Sequence, residues 1–282
     1  MKKIYHFVRN NLLYLCTLFL LIFIPLYPKL PLFDIRNTWV YVRAEDFVVI
    51  FVIALWSFLL FKRRVSFKTP LTLPILIFWI IGAVATIHGV VLIFPEISNV
   101  FPNVAFLGFL RHIEYMSLFF ISYSAMKDKK LLPAVIFTLV LTFFLVSLYG
   151  IGQKYLGFPA YLTMNEEFAK GIPIRLSQLS RVPSTFAGHY DLAAYLVLVI
   201  PILASLIFGF KNWLLKFILL TGVILGLVVV FMTVSRVSFF VLFIALFIVL
   251  YLQNKKLINY FLPFLAVLAI FFFSSQSALF SR

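Results

Sequence analysis

From Arg181 to Leu196 the chain reads RVPSTFAGHYDLAAYL, a stretch in which Arg181, Ser184, Thr185, His189 and Asp191 run straight into an apolar segment. A guanidinium beside two hydroxyls and the free N–H groups of a helix N-terminus is a donor set for an anion, phosphate or diphosphate foremost. The same arginine also suits a membrane surface, where it would snorkel to lipid headgroups. A second arginine, Arg236, follows Ser235 in FMTVSRVSFF, at a tight turn between two apolar runs. Ionisable groups near membrane depth are functional candidates by default. Two arginines on neighbouring hairpins would clamp the two phosphates of one diphosphate; the alternative is again snorkelling.

His189 and Asp191 raise the question of a base. A histidine within reach of a carboxylate can act as a general base. Positions i and i+2 do not share a helix face, however, which argues against a direct dyad. Asp191 reads equally well as a carboxylate in the first turn of a helix, where the dipole favours it. In FLRHIEYM, Arg111 and Glu114 are spaced i, i+3 and are expected to pair on one helix face, as a structural pair inside a bundle or as part of a relay. His112 points elsewhere, and His88 reads as a polar contact. No Gly-rich phosphate loop, HExxH or Cys/His cluster is present in the sequence. No metal and no cofactor is therefore expected.

The elements that must position these groups follow from composition. Of 282 residues, 64% are hydrophobic and 12% charged. A water-soluble domain cannot hide that much apolar surface, so lipid is the solvent for most of the chain. Long apolar runs rather than short alternating strands exclude a β-barrel. The expected fold class is all-α, a polytopic membrane protein. The net charge of +15 would suggest nucleic acid on a soluble protein. Here it reads as Lys and Arg gathered in cytoplasmic loops, with membrane lipids and no nucleic acid as partners. The single cysteine, Cys16, lies in the first apolar run and forms no disulfide framework.

Apolar windows predict about nine transmembrane helices: 11–28, 46–61, 71–94, 104–126, 131–152, 190–210, 213–234, 237–253 and 257–274. The basic loops MKKIYHFVR, FKRRVSFK, MKDKK, FKNWLLK and QNKK alternate with basic-poor ones. That places the N-terminus in the cytoplasm and the C-terminus outside. Residues 1–282 read as one transmembrane helical domain with an external loop at 153–189, long enough to be functional in its own right.

At these residues a resemblance enters. RVPSTFAGHYDLAAYLVLVIPIL resembles the first signature of the O-antigen ligase family, which includes lipopolysaccharide ligases, Wzy-type polymerases and protein O-oligosaccharyltransferases. VFMTVSRVSFFVLFIALFIVL is similar to the second, a Ser-Arg opening the span after the next. The resemblance covers roughly residues 100–255. It implies a metal-independent enzyme of the bacterial cytoplasmic membrane. Such an enzyme moves a glycan from a polyprenyl-diphosphate carrier to a saccharide or lipid-sugar acceptor. By motif position, Arg181 and Arg236 would bind the diphosphate, with Ser184, Thr185, His189 and Asp191 secondary. The region of the family's usual asparagine holds Asp191 instead. The family's base is a histidine in a large external loop after a later span. The chain is therefore expected to be an N-terminal portion, with that histidine beyond Arg282 and not replaced by His189. Ligase and polymerase share these motifs. The rival readings are a transporter or flippase of lipid-linked sugars and a non-catalytic scaffold.

Overall fold

The computed structural model describes residues 11–38, 40–97, 100–126 and 128–253, with isolated positions at 263, 267 and 270. In lipid a backbone must satisfy its own polar groups, and the helix does so within one segment. The apolar runs accordingly form α1 (Leu12–Leu26), α2 (Ala44–Phe61), α3 (Thr72–His88), α4 (Pro102–Ala125), α5 (Leu132–Tyr155), α6 (His189–Gly209), α7 (Trp213–Thr233) and α8 (Arg236–Gln253). Beyond His88, α3 continues through a π-turn and a 3₁₀-turn to Glu96. Among the described residues, seven helical segments are long and apolar enough to cross a membrane, and α1 is a shorter apolar helix. The protein is an all-α, multi-pass membrane protein. The first eight expected spans fall on helices; the ninth, 257–274, lies almost entirely outside the described residues.

The chain forms two compact units: Met1–Ile24 with Pro31–Ile136, and Pro25–Leu30 with Phe137–Arg282. In the first unit, the connection after α1 forms a small antiparallel ribbon, β1 (Pro31–Phe33) paired with β2 (Val42–Arg43). Asn37, in the left-handed region at φ 69°, lies in the connection between them. The Asn103 side-chain amide donates to the Arg36 carbonyl at 2.9 Å and ties that connection to the start of α4. The core of this unit is aromatic. Phe120 of α4 stacks on Phe67 (centroids 4.4 Å apart) and on Trp56 of α2 (5.9 Å), while Trp56 Nε1 donates to Ser124 Oγ at 3.1 Å.

The second unit packs α6 against α7 and α8, with α5 lining the same core through Phe143 and Val146. Without a hydrophobic drive between helices in lipid, close approach depends on small residues. Gly222 and Gly226 supply it on α7. A Cβ at Gly226 would stand 2.7 Å from Phe143 Cζ and 2.9 Å from Ile200 Cδ1, and one at Gly222 would stand 3.0 Å from Leu203 Cδ2. The outer faces keep exposed Leu198, Phe217 and Ile224, as lipid contact requires.

Candidate functional site

The segment that carries Arg181 is fastened to the second unit at several points. Helix α5 runs two residues past the expected start of the external loop and brings Gln153 and Lys154 with it. The buried Gln153 amide donates to the carbonyls of Pro159 and Ser184, both at 2.9 Å. Lys154 Nζ donates to the carbonyls of Gln178 and, at 2.9 Å, Ser180. An antiparallel bridge joins Ala160 to Ile174, and Thr163 N–H reaches the Ala187 carbonyl at 3.0 Å. Gly150 leaves room for the passing chain: a Cβ there would meet Val182 Cγ1 at 3.2 Å. Val182 N–H donates to the Met232 carbonyl at 3.2 Å, which brings the segment to the end of α7.

That end is a very short turn. Only Val234 and Ser235 separate α7 from α8, and Val234 sits in the left-handed region at φ 57°. A β-branched residue is an outlier there, and such strain persists only where its surroundings impose it. Ser235 Oγ donates to Ser238 Oγ at 2.8 Å across the first turn of α8. Arg236 opens that helix with an exposed side chain.

The two arginines meet at one open pocket of about 410 Å³, lined by Arg181, Tyr190, Ser235, Arg236 and Ser238 with Val234 and Val237. Among the described residues the lining holds two guanidiniums, three hydroxyls and no carboxylate. It lies at the N-terminus of α8, where unsatisfied N–H groups and the helix dipole favour negative charge.

The secondary residues take other places. Ser184 is buried, in the left-handed region at φ 53°, and its Oγ donates to the Val146 carbonyl at 2.7 Å. Thr185 Oγ1 donates to the Pro25 carbonyl. Both hydroxyls fix the backbone of the segment and do not line the pocket. Asp191 stands exposed in the first turn of α6, after Gly188 at the N-cap. His189 is buried, with Arg181 Nη1 3.1 Å from its Nε2. A guanidinium has no acceptor, so Nε2 is the accepting, unprotonated nitrogen of a neutral ring. Tyr190, Ser235 and Ser238 join the site only through the structure. The cues to the serines in the sequence are the Ser-Arg pair itself and a hydroxyl pair spaced i, i+3 around Arg236.

No protein-family model, curated protein or solved structure matches the chain. The site is therefore read from its own geometry.

In the first unit, Arg111 Nη1 pairs with Glu114 Oε2 at 3.1 Å and also with Asp46 Oδ1 of α2. Asp46 Oδ2 accepts the Arg43 backbone N–H at 2.9 Å and caps α2. One carboxylate thus serves both a helix end and an arginine on another helix. His112 Nδ1 lies 2.8 Å from the Gly108 carbonyl, one helical turn back. Among the described residues no group of three or more His, Cys, Asp and Glu side chains converges as a metal site.

Proposed function

We propose that the pocket between Arg181 and Arg236 receives the diphosphate of a lipid-linked glycan, and that the protein is a glycosyltransferase of the O-antigen ligase or polymerase kind in a bacterial cytoplasmic membrane. The observation that carries this reading is the convergence of the two arginines. They come from distant parts of the chain and line one open pocket at a helix N-terminus, with no carboxylate among its described lining residues. Its volume lies within the roughly 300–1,000 Å³ of ligand sites.

In this reading each planar guanidinium takes phosphate oxygens through paired N–H donors, a geometry lysine cannot reproduce. Charge grows on the diphosphate as the sugar–oxygen bond breaks, and fixed donors aimed at that charge lower the barrier. Tyr190, Ser235 and Ser238 add hydroxyl donors at the rim. His189 positions Arg181 and does not take the acceptor's proton, because its Nε2 lone pair already faces the guanidinium. The base belongs to another part of the protein. Neither a metal nor a nucleotide enters the scheme.

The test is glycan transfer in membranes by the intact protein carrying Arg181→Ala or Arg236→Ala. The expected result is a loss of about 100-fold or more in each, at normal membrane levels, as for removal of one transition-state donor. Arginine-to-lysine variants should recover only part of it. Unchanged transfer in both alanine variants would overturn the clamp. Lost movement of the carrier between leaflets, with transfer intact, would favour a transporter.

A further inference from the structure

The first unit holds a larger pocket that the proposed chemistry does not use. It measures about 690 Å³ and lies among the start of α1, the last turns of α2 and α4, and the approach to α5. Leu55, Phe58 and Leu59 of α2 form an apolar wall, and Asn11, Arg64 and Asp128 bring polar groups to the lining. Two hydrogen bonds frame it. Tyr14 OH donates to the Leu131 carbonyl at 2.9 Å, and Trp56 Nε1 to Ser124 Oγ at 3.1 Å.

The way Arg64 reaches this pocket is specific. The last turn of α2 closes with Arg63 N–H donating to the Leu60 carbonyl and Arg64 N–H to the Leu59 carbonyl, both at 2.9 Å. That is the hydrogen-bond pattern of a Schellman end, whose left-handed position glycine normally fills. Here Arg63 fills it at φ 54°. The chain thus accepts an unfavourable backbone to place two adjacent cations at this end, and it turns the second back over Leu59 into the pocket lining. The two segments that contribute Arg64 and Asp128 also carry Lys62, Lys68, Lys129 and Lys130. Asp128, whose Oδ1 accepts the Lys130 N–H at 2.9 Å, is the one acidic group among the described lining residues, against the six cations that these two segments carry in Lys62, Arg63, Arg64, Lys68, Lys129 and Lys130.

We infer that this pocket binds an anionic phospholipid. The cations at the helix ends would meet the headgroup phosphate, and the wall of Leu55, Phe58 and Leu59 would lie along the start of an acyl chain. Basic pockets between membrane helices at the polar boundary are suited to anionic headgroups. An apolar wall beside the cations selects a lipid over a free phosphate, and the excess of cations selects an anionic lipid over a zwitterionic one. The inference stands independently of any glycan transfer.

Native mass spectrometry of the purified full chain, with phosphatidylglycerol or phosphatidylcholine added, tests it. The expected result is preferential retention of phosphatidylglycerol, reduced about fivefold by Arg64→Gln, in line with the usual contribution of one basic residue at an anionic membrane. Arg64→Lys should retain it. A second variant, Lys129→Gln with Lys130→Gln, changes only exposed side chains and should reduce retention as well. Equal retention of the two lipids, or wild-type retention by both glutamine variants, would overturn the site. Displacement of the lipid by millimolar inorganic phosphate would overturn the lipid as occupant.

Discussion

Val182 donates its backbone N–H to the Met232 carbonyl across 3.2 Å, and this bond joins the segment bearing Arg181 to the turn bearing Arg236. Arg181 lies on a non-helical segment, so this contact with the end of α7 is what brings it to the pocket that Arg236 lines. The Val182 amide is therefore expected to be among the slowest to exchange in residues 156–188. Hydrogen–deuterium exchange with fragmentation measures it. Exchange as fast as that of the neighbouring exposed amides would mean that the segment does not rest on α7.

The imidazole of His189 accepts from Arg181 and gains nothing from being basic. His189→Gln retains a carbonyl acceptor and should keep most of the proposed transfer activity. His189→Phe should lose about 10-fold or more, the usual scale for one hydrogen bond to a charged group. Single-turnover transfer assays separate the two. Equal, complete loss in both variants would assign His189 the proton-transfer role instead.

The ion pair in the first unit gives a stability prediction. Asp46→Ala should lower unfolding stability by about 1–3 kcal/mol, less than the roughly 3–5 kcal/mol for breaking a fully buried pair. The discount follows from Arg111, whose side chain keeps 34% exposure and retains Glu114. Adding Arg111→Met to that background should cost little more. Strictly additive losses in thermal unfolding would show that the pair is not formed.

Two glycines should respond oppositely. Gly226→Ala forces a methyl against Phe143 and Ile200 and is expected to destabilise by about 1–3 kcal/mol through overpacking. Gly209→Ala adds a methyl into open space at the last residue of α6 and should be neutral or slightly stabilising. Thermal unfolding of both in the same detergent compares them directly.

A third backbone position differs again. Arg63→Gly relieves the left-handed residue after α2, and a gain of about 1 kcal/mol is expected on unfolding. A loss would mean that the Arg63 side chain makes a stabilising contact larger than the backbone cost.

Most of the helical framework was legible because lipid burial writes itself into long apolar runs, and 213–234 differs from α7 by a single residue. The Arg111–Glu114 pair was legible too, since i, i+3 spacing is local. Asp46 was not, because its meeting with Arg111 depends on how α2 packs against α4. The ribbon of Pro31–Phe33 with Val42–Arg43 was too short to show a period. The backbone acceptors of Ser184 and Thr185, on Val146 and Pro25, were not legible for a related reason: they come from other elements.

The two-residue link between α7 and α8, with Val234 already in a left-handed conformation, leaves the hairpin no slack. One residue inserted after Ser235 would rotate Arg236 by about 100° around the axis of α8 and carry its guanidinium to a different face. The loop of residues 156–188 has length in which to absorb such a change. Angular register, more than chain length, should therefore limit how this hairpin can vary.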